Sequence, residues 1–151
     1  MPPNRLAIEV SLATGLRIDD VLHLRPAQIE KEKTTVTEMK TGKKRRIRLP
    51  SALRDELLKQ SGRYWVFPGR VDVKKPRTRQ AVYKDIRRAK EAFRVRENLT
   101  PHSARKYFAV QEYKRSGSIS HVKELLNHSN EAVTMVYALA DTINTRTVSG
   151  K

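Results

Sequence analysis

The chain has 151 residues, 38% hydrophobic and 32% charged, with a formal net charge of +16, enough length for one domain with a real core. It contains no cysteine, which excludes disulfides and thiolate chemistry, and it has no run of about 18 apolar residues to cross a membrane. So basic a domain repels itself, and the usual reason to tolerate that is an anionic partner, nucleic acid ahead of an acidic membrane surface.

The start, MPPNRLAIEV, carries no secretory pattern, and the lack of cysteine fits an intracellular protein. Residues 4–14 place Leu6, Val10 and Ala13 on one helical stripe, with Ile8 and Leu12 as a second apolar row and Gly15 as C-cap. RIDDVLHL predicts a short second helix with Asp19 and Asp20 in its first turn, stopped by Pro26. A small antiparallel sheet follows: Thr34 to Met39 is β-rich, KTGKK is a turn, and Arg46-Ile47-Arg48-Leu49 alternates polar with apolar. SALRDELLKQ reads as a helix with Ser51 as N-cap. After the short hydrophobic segment RYWVFPG comes a Pro/Lys/Arg-rich loop to about Arg77, then a basic amphipathic helix from Thr78 to about Arg96. Thr100 and Pro101 form an N-cap and first helical position for HSARKYFAVQEYKRSG, ended by Gly117. ISHVKELLNH and NEAVTMVYALA are two closing helices. The expected fold is a mainly α domain with a small antiparallel β-sheet (α+β) spanning 1–151, with a flexible polar tail over 141–151.

The excess positive charge is clustered in KTGKKRRIR, KKPRTR and RRAKEAFRVR. Lys43, Lys44 and Arg45 in the first run, and Lys74, Lys75, Arg77 and Arg79 in the second, are candidate DNA contacts. None of the runs adjoins a Trp- or Phe-rich anchor, so a membrane partner is not expected.

Four places could carry chemistry. Arg17 precedes a helix whose N-terminus favours acids; it either pairs on the surface with Asp20 or points with the helix end at an anion, and position alone leaves both open. Lys40, two residues before Gly42 in the hairpin turn, could reach a DNA groove, though an isolated turn lysine is more often merely solvated. His102 and Arg105 share one face of the first helical turns, as a solvated polar face or as a phosphate site. His128 and Tyr137 lie among leucine and valine at helical spacing, which by itself favours capping and core packing. No metal is expected, since no two histidines stand at the i, i+4 spacing of a zinc helix. Phosphate-binding glycine loops and a serine nucleophile elbow are missing too.

Taken in order, these pieces resemble the catalytic domain of the tyrosine recombinases, the phage-integrase family. ATGLRIDDVLHL looks like its first arginine box, LTPHSARK like its His-x-x-Arg box, and ELLNHSNEAVTMVY like its Leu-Gly-His box and nucleophilic tyrosine. The intervals from Arg105 to His128 and from His128 to Tyr137 suit the pattern, and the resemblance covers roughly Leu6 to Ala140. It implies that Arg17 and Arg105 clamp the scissile phosphate, while Lys40 acts as general acid to the leaving 5′ oxygen. His102 and His128 would donate to, or exchange protons with, the phosphate and the nucleophile. Tyr137 would attack phosphorus to leave a 3′-phosphotyrosyl link, and Asp20 would help hold the site together. It further implies double-stranded DNA as partner, self-association into a synaptic tetramer, a cytoplasmic, nucleoid-associated location and no cofactor.

Asn127 stands where the family usually has glycine, and Lys106 where histidine or arginine is common. The family's N-terminal DNA-binding domain is not in this chain, so an excised catalytic domain or a minimal relative is expected. Two other readings use the same features: a type IB topoisomerase-like nicking-closing enzyme, and a helix-turn-helix module without catalysis. The latter leaves Arg17, His102 and Arg105 without a joint purpose.

Overall fold

The computed structural model describes residues 2–127. Helices α1 (Pro2–Thr14), α2 (Ile18–Leu22) and α3 (Pro26–Ile29) precede strands β1 (Lys33–Thr37) and β2 (Lys44–Arg48). Then come α4 (Ser51–Gln60), α5 (Arg79–Phe93), α6 (Pro101–Ser116) and α7 (Ile119–Leu125). The second closing helix, the tail, His128 and Tyr137 lie outside the described residues.

Helix α1 is the hub, packing against α2, α4, α5, α6 and β2. Its buried face is Asn4, Leu6, Ala7, Val10, Ser11 and Thr14; Leu6 and Val10 of the predicted stripe are buried, while Ala13, and Leu12 of the second row, are exposed. Ser11 and Thr14 can face the core because their hydroxyls are satisfied locally. Ser11 Oγ donates to the Leu16 carbonyl at 2.7 Å and Thr14 Oγ1 to that of Val10 at 2.7 Å. The main core gathers Leu6, Val10, Leu16, Ile18, Leu22, Ile29, Leu57 and Phe67 between α1–α4, the sheet and α5. A second, smaller one joins α6 to α7 through Ala109, Val122 and Leu126.

Several predicted boundaries are corrected. Helix α2 ends at Leu22, short of Pro26; Pro26 instead opens α3, since its fixed φ suits a first helical position, and there Gln28 Oε1 accepts the Arg25 N–H at 2.7 Å. Ser51 is the first residue of α4 rather than its cap; Pro50 holds the cap position, with its carbonyl accepting the Arg54 N–H at 2.9 Å. Helix α5 ends at Phe93, before Arg96, because Arg94 turns left-handed at φ 52° and closes the helix. At its start Thr78 is the N-cap rather than the first helical residue, its Oγ1 accepting the Ala81 N–H at 3.3 Å.

The strands pair antiparallel, Lys33 opposite Arg48 and Thr37 opposite Lys44. They sit one or two residues from the predicted limits, and the pairing extends into the turn. Glu38 donates its N–H to the Lys43 carbonyl at 2.9 Å and accepts from Gly42 at 2.8 Å. Along β2 the side chains alternate, with Arg45 and Ile47 inside and Lys44, Arg46 and Arg48 outside.

Candidate active site

Gly15 ends α1 in a left-handed conformation, φ +69°, and turns the chain so that Leu16 is buried and Arg17 occupies the N-cap of α2. Arg17 is only 8% exposed, which rules out a solvated surface pairing with Asp20. Its Nη1 donates to Glu38 Oε2 at 3.2 Å. Arg105, in the second turn of α6, is fully buried and donates from Nη1 to the Gly15 carbonyl at 3.0 Å. One backbone turn thus carries Arg17 and receives Arg105, two residues far apart in the chain.

The hairpin closes the other side. Asp20 Oδ1 accepts the Met39 N–H at 2.9 Å, which ties the first turn of α2 to the residue before Lys40. Lys40 itself is exposed. It lines an open cleft of ≈ 460 Å³ with Arg17, Asp20, Arg79 and the half-buried His102. Helix α2, the hairpin, α5 and α6 therefore each contribute to one cavity. Near its mouth Arg79 stands 3.8 Å from Asp19.

Behind the cleft lies a buried network of charges. Arg45, 6% exposed, donates to the Thr14 carbonyl, and its guanidinium lies 5.7 Å from the centre of the Phe108 ring. Its Nη1 is 4.0 Å from Glu38 Oε1, close enough for attraction but too far for a hydrogen bond. Burial pushes its pKa down to about 10; Arg105 pushes the same way, with Glu38 opposing. Burial also raises the Asp20 carboxyl above the ordinary carboxylate range, against the Met39 hydrogen bond. Arg17, Arg45 and Arg105 with Asp20 and Glu38 sum to one positive charge when all are ionised. A low-dielectric pocket with that excess attracts an anion.

The structure thus brings Arg17, Asp20, Lys40 and His102 together and sets Arg105 against the same turn. It does not describe His128 or Tyr137, but it does describe the residue before His128. Asn127 is left-handed at φ 55°, the conformation in which glycine carries no steric cost and asparagine is the next best choice. The Lys43 ammonium reaches across from the hairpin to donate to the Asn127 carbonyl at 3.2 Å.

Of the predicted DNA contacts, Lys43, Lys44, Lys74, Lys75 and Arg79 are exposed and Arg77 is half-buried. Arg45 is the exception: it points inward and offers no surface charge. Two participants escaped sequence reasoning. Glu38 reads as an ordinary polar residue at a strand end. Arg45 was within reach, since the alternation of Ile47 and Leu49, extended back one step, places it on the inner face.

The model of the Phage integrase family matches residues 2–142. The chain belongs to the phage integrase family. Among curated integrase-family proteins it is 32% identical over 138 residues to the probable integrase/recombinase YoeC of Bacillus subtilis, covering 88% of this chain and 75% of YoeC. It is 27% identical to the tyrosine recombinase XerD of Staphylococcus aureus, covering 89% of this chain but 49% of XerD. The fold is that of tyrosine recombinase catalytic domains. The XerH recombinase bound to its difH substrate superposes with a TM-score of 0.72 at 21% identity, over 87% of this chain and 41% of XerH. A lambda integrase dimer bound to a core site gives 0.70 at 23% identity, over 89% of this chain and 52% of that one. Among the described residues no helix is long and apolar enough to cross a membrane, and no group of three or more His, Asp or Glu could hold a metal ion.

Proposed function

We propose that this chain is the catalytic region of a site-specific DNA recombinase or integrase that breaks and rejoins DNA through a tyrosine nucleophile. The observation that carries the reading is the cleft in which Arg17, Lys40 and His102 meet, backed by buried Arg105. Composition alone could not require these residues to converge, and together they match the chemistry of a phosphodiester.

The scissile phosphodiester carries one negative charge, the complement of the buried network's excess. Arg17 and Arg105 bind its non-bridging oxygens, because guanidinium is a planar, permanently charged donor. Tyr137 attacks phosphorus. A phenol with pKa about 10 is a weak nucleophile at neutral pH, so the cations that grip the phosphate would favour phenolate and the pentacoordinate transition state together. The P–O5′ bond breaks as the Tyr137 Oη–P bond forms, and Lys40 gives its proton to the leaving 5′ oxygen. His102 and His128 donate to the phosphate or exchange the phenol proton. The product is a 3′-phosphotyrosyl ester and a free 5′-hydroxyl, which attacks in turn to reseal the strand. The ester conserves the energy of the broken bond, so the cycle needs no nucleotide cofactor.

Double-stranded DNA is the partner, reached in the cytoplasm, and protomers pair on it into a synaptic tetramer. In support, a solved structure of similar fold is a lambda integrase tetramer bound to a Holliday junction. The exposed lysines and arginines of the hairpin and of the loop before α5 bind the flanking phosphates.

The test is a covalent adduct. DNA with a 5′-bridging phosphorothiolate at the cleavage site traps the tyrosyl intermediate, read as a protein band shifted on a denaturing gel. Tyr137→Phe should abolish the band without changing the circular dichroism spectrum. An adduct that survives the substitution would remove Tyr137 as nucleophile.

A further inference from the structure

Glu38 is the least expected participant in the network. It stands two residues before Lys40 at the end of β1, in a hairpin otherwise rich in lysine and arginine, yet its carboxylate is completely buried. Burying a carboxylate is costly unless it is paired and hydrogen-bonded, so its partners explain why it is there. Oε2 accepts from Arg17 Nη1 at 3.2 Å and from Thr41 Oγ1 at 3.0 Å. Oε1 faces Arg45 Nη1 at 4.0 Å. Its backbone holds both sides of the turn, bonded to Lys43 and Gly42.

We propose that Glu38 is the positioning residue of the arginine clamp: its buried carboxylate fixes the Arg17 guanidinium where the scissile phosphate is gripped. The inference rests on the strand-transfer reading above. Arg17 extends from the N-cap of a helix of only five residues, with no long element to steer its side chain. The charge-assisted bond from Glu38 favours the guanidinium orientation that reaches phosphate. Glu38 is itself locked, since the hydroxyl of Thr41 and the paired backbone of the turn fix its carboxylate. Arg45 balances the second oxygen, so that one carboxylate does not hold Arg17 too tightly to exchange for substrate. The clamp on one side and the hairpin that presents Lys40 on the other are joined through one residue. In this proposal the effect of Glu38 on the reaction passes through Arg17.

The test uses Glu38→Gln, nearly isosteric and uncharged, and Glu38→Asp, which restores the charge. Misplacing Arg17 should slow adduct formation at saturating DNA by about tenfold or more, with DNA affinity changed by less than about threefold. Glu38→Asp should recover part of the loss. A 5′-bridging phosphorothiolate, whose leaving group needs no proton from Lys40, should not relieve the defect. Adduct formation at the parental rate in folded Glu38→Gln overturns the proposal. So does full relief by the phosphorothiolate, which would move the defect to the leaving-group side. A second measurement stands apart from catalysis: solvent exchange of the Arg17 guanidinium protons by NMR in the DNA-free protein, assigned against Arg17→Lys. It should be slow in the parent and about tenfold or more faster in Glu38→Gln, since a lost charge-assisted bond opens the group to water. Unchanged exchange overturns the positioning role. A parent that forms no adduct on any DNA overturns strand transfer instead, and the exchange result still decides what Glu38 does to Arg17.

Discussion

Asp20 sits 3% exposed among arginines, and two influences compete for its proton. Burial favours the neutral acid, while the Met39 N–H, Arg17 and Arg105 favour the carboxylate; burial prevails, and the pKa is raised. The consequence for stability has a definite sign. A carboxyl whose folded pKa lies above its unfolded value, about 4, stabilises the fold below that pH, and the contribution is lost as pH rises through the folded value. Asp20→Asn keeps the shape and an acceptor for Met39 while removing the titration. Its stability relative to the parent should therefore improve from acid toward neutral pH, measured by urea unfolding across a pH series. If the variant instead loses ground as pH rises, the arginines outweigh burial and Asp20 is a firmly ionised counterion.

Among the elements, the turn after α1 has the most depending on it, because it launches Arg17 and accepts Arg105. Gly15 makes it possible: at φ +69° an L side chain is strained, and an added Cβ would lie 2.3 Å from Phe108 Cδ1 and 3.0 Å from Leu126 Cδ2. Gly15→Ala should cost about 2–4 kcal/mol, combining left-handed backbone strain with overpacking against α6 and the end of α7. Urea unfolding reads it, and a cost below about 1 kcal/mol would mean that Phe108 and Leu126 simply move aside. The elements themselves were largely legible in the sequence because their ends are written in local chemistry. Thr100, Pro101 and Gly117 mark the limits of α6. What was not legible depends on distant partners. Only part of the inward face of α1 was placed, because Ser11 and Thr14 are buried by bonds to nearby backbone carbonyls, which hydropathy cannot register. Glu38 gave no signal, since its burial is meaningful only once Arg17, Arg45 and Thr41 surround it. The left-handed turn at Asn127 explains a family departure after the fact: asparagine preserves what glycine supplies.

For the whole molecule, a net charge of +16 is a statement about DNA affinity only to the extent that the cations face outward. The hairpin shows the distinction within two consecutive residues. Lys44 is exposed and Arg45 is buried, so one can displace a counterion from DNA and the other cannot. Binding to a random duplex needs no target sequence, and log K against log salt falls by about 0.9 per neutralised phosphate. Lys44→Ala and Lys75→Ala should each flatten that slope by up to this amount. Arg45→Met should leave the slope unchanged, although it removes the same formal charge and unbalances Glu38. The comparison is made at a temperature where circular dichroism shows each variant folded. A slope that flattens for Arg45→Met as it does for Lys44→Ala would mean that DNA draws Arg45 out of the interior. The buried network would then be a reserve of phosphate contacts rather than a fixed frame for the clamp.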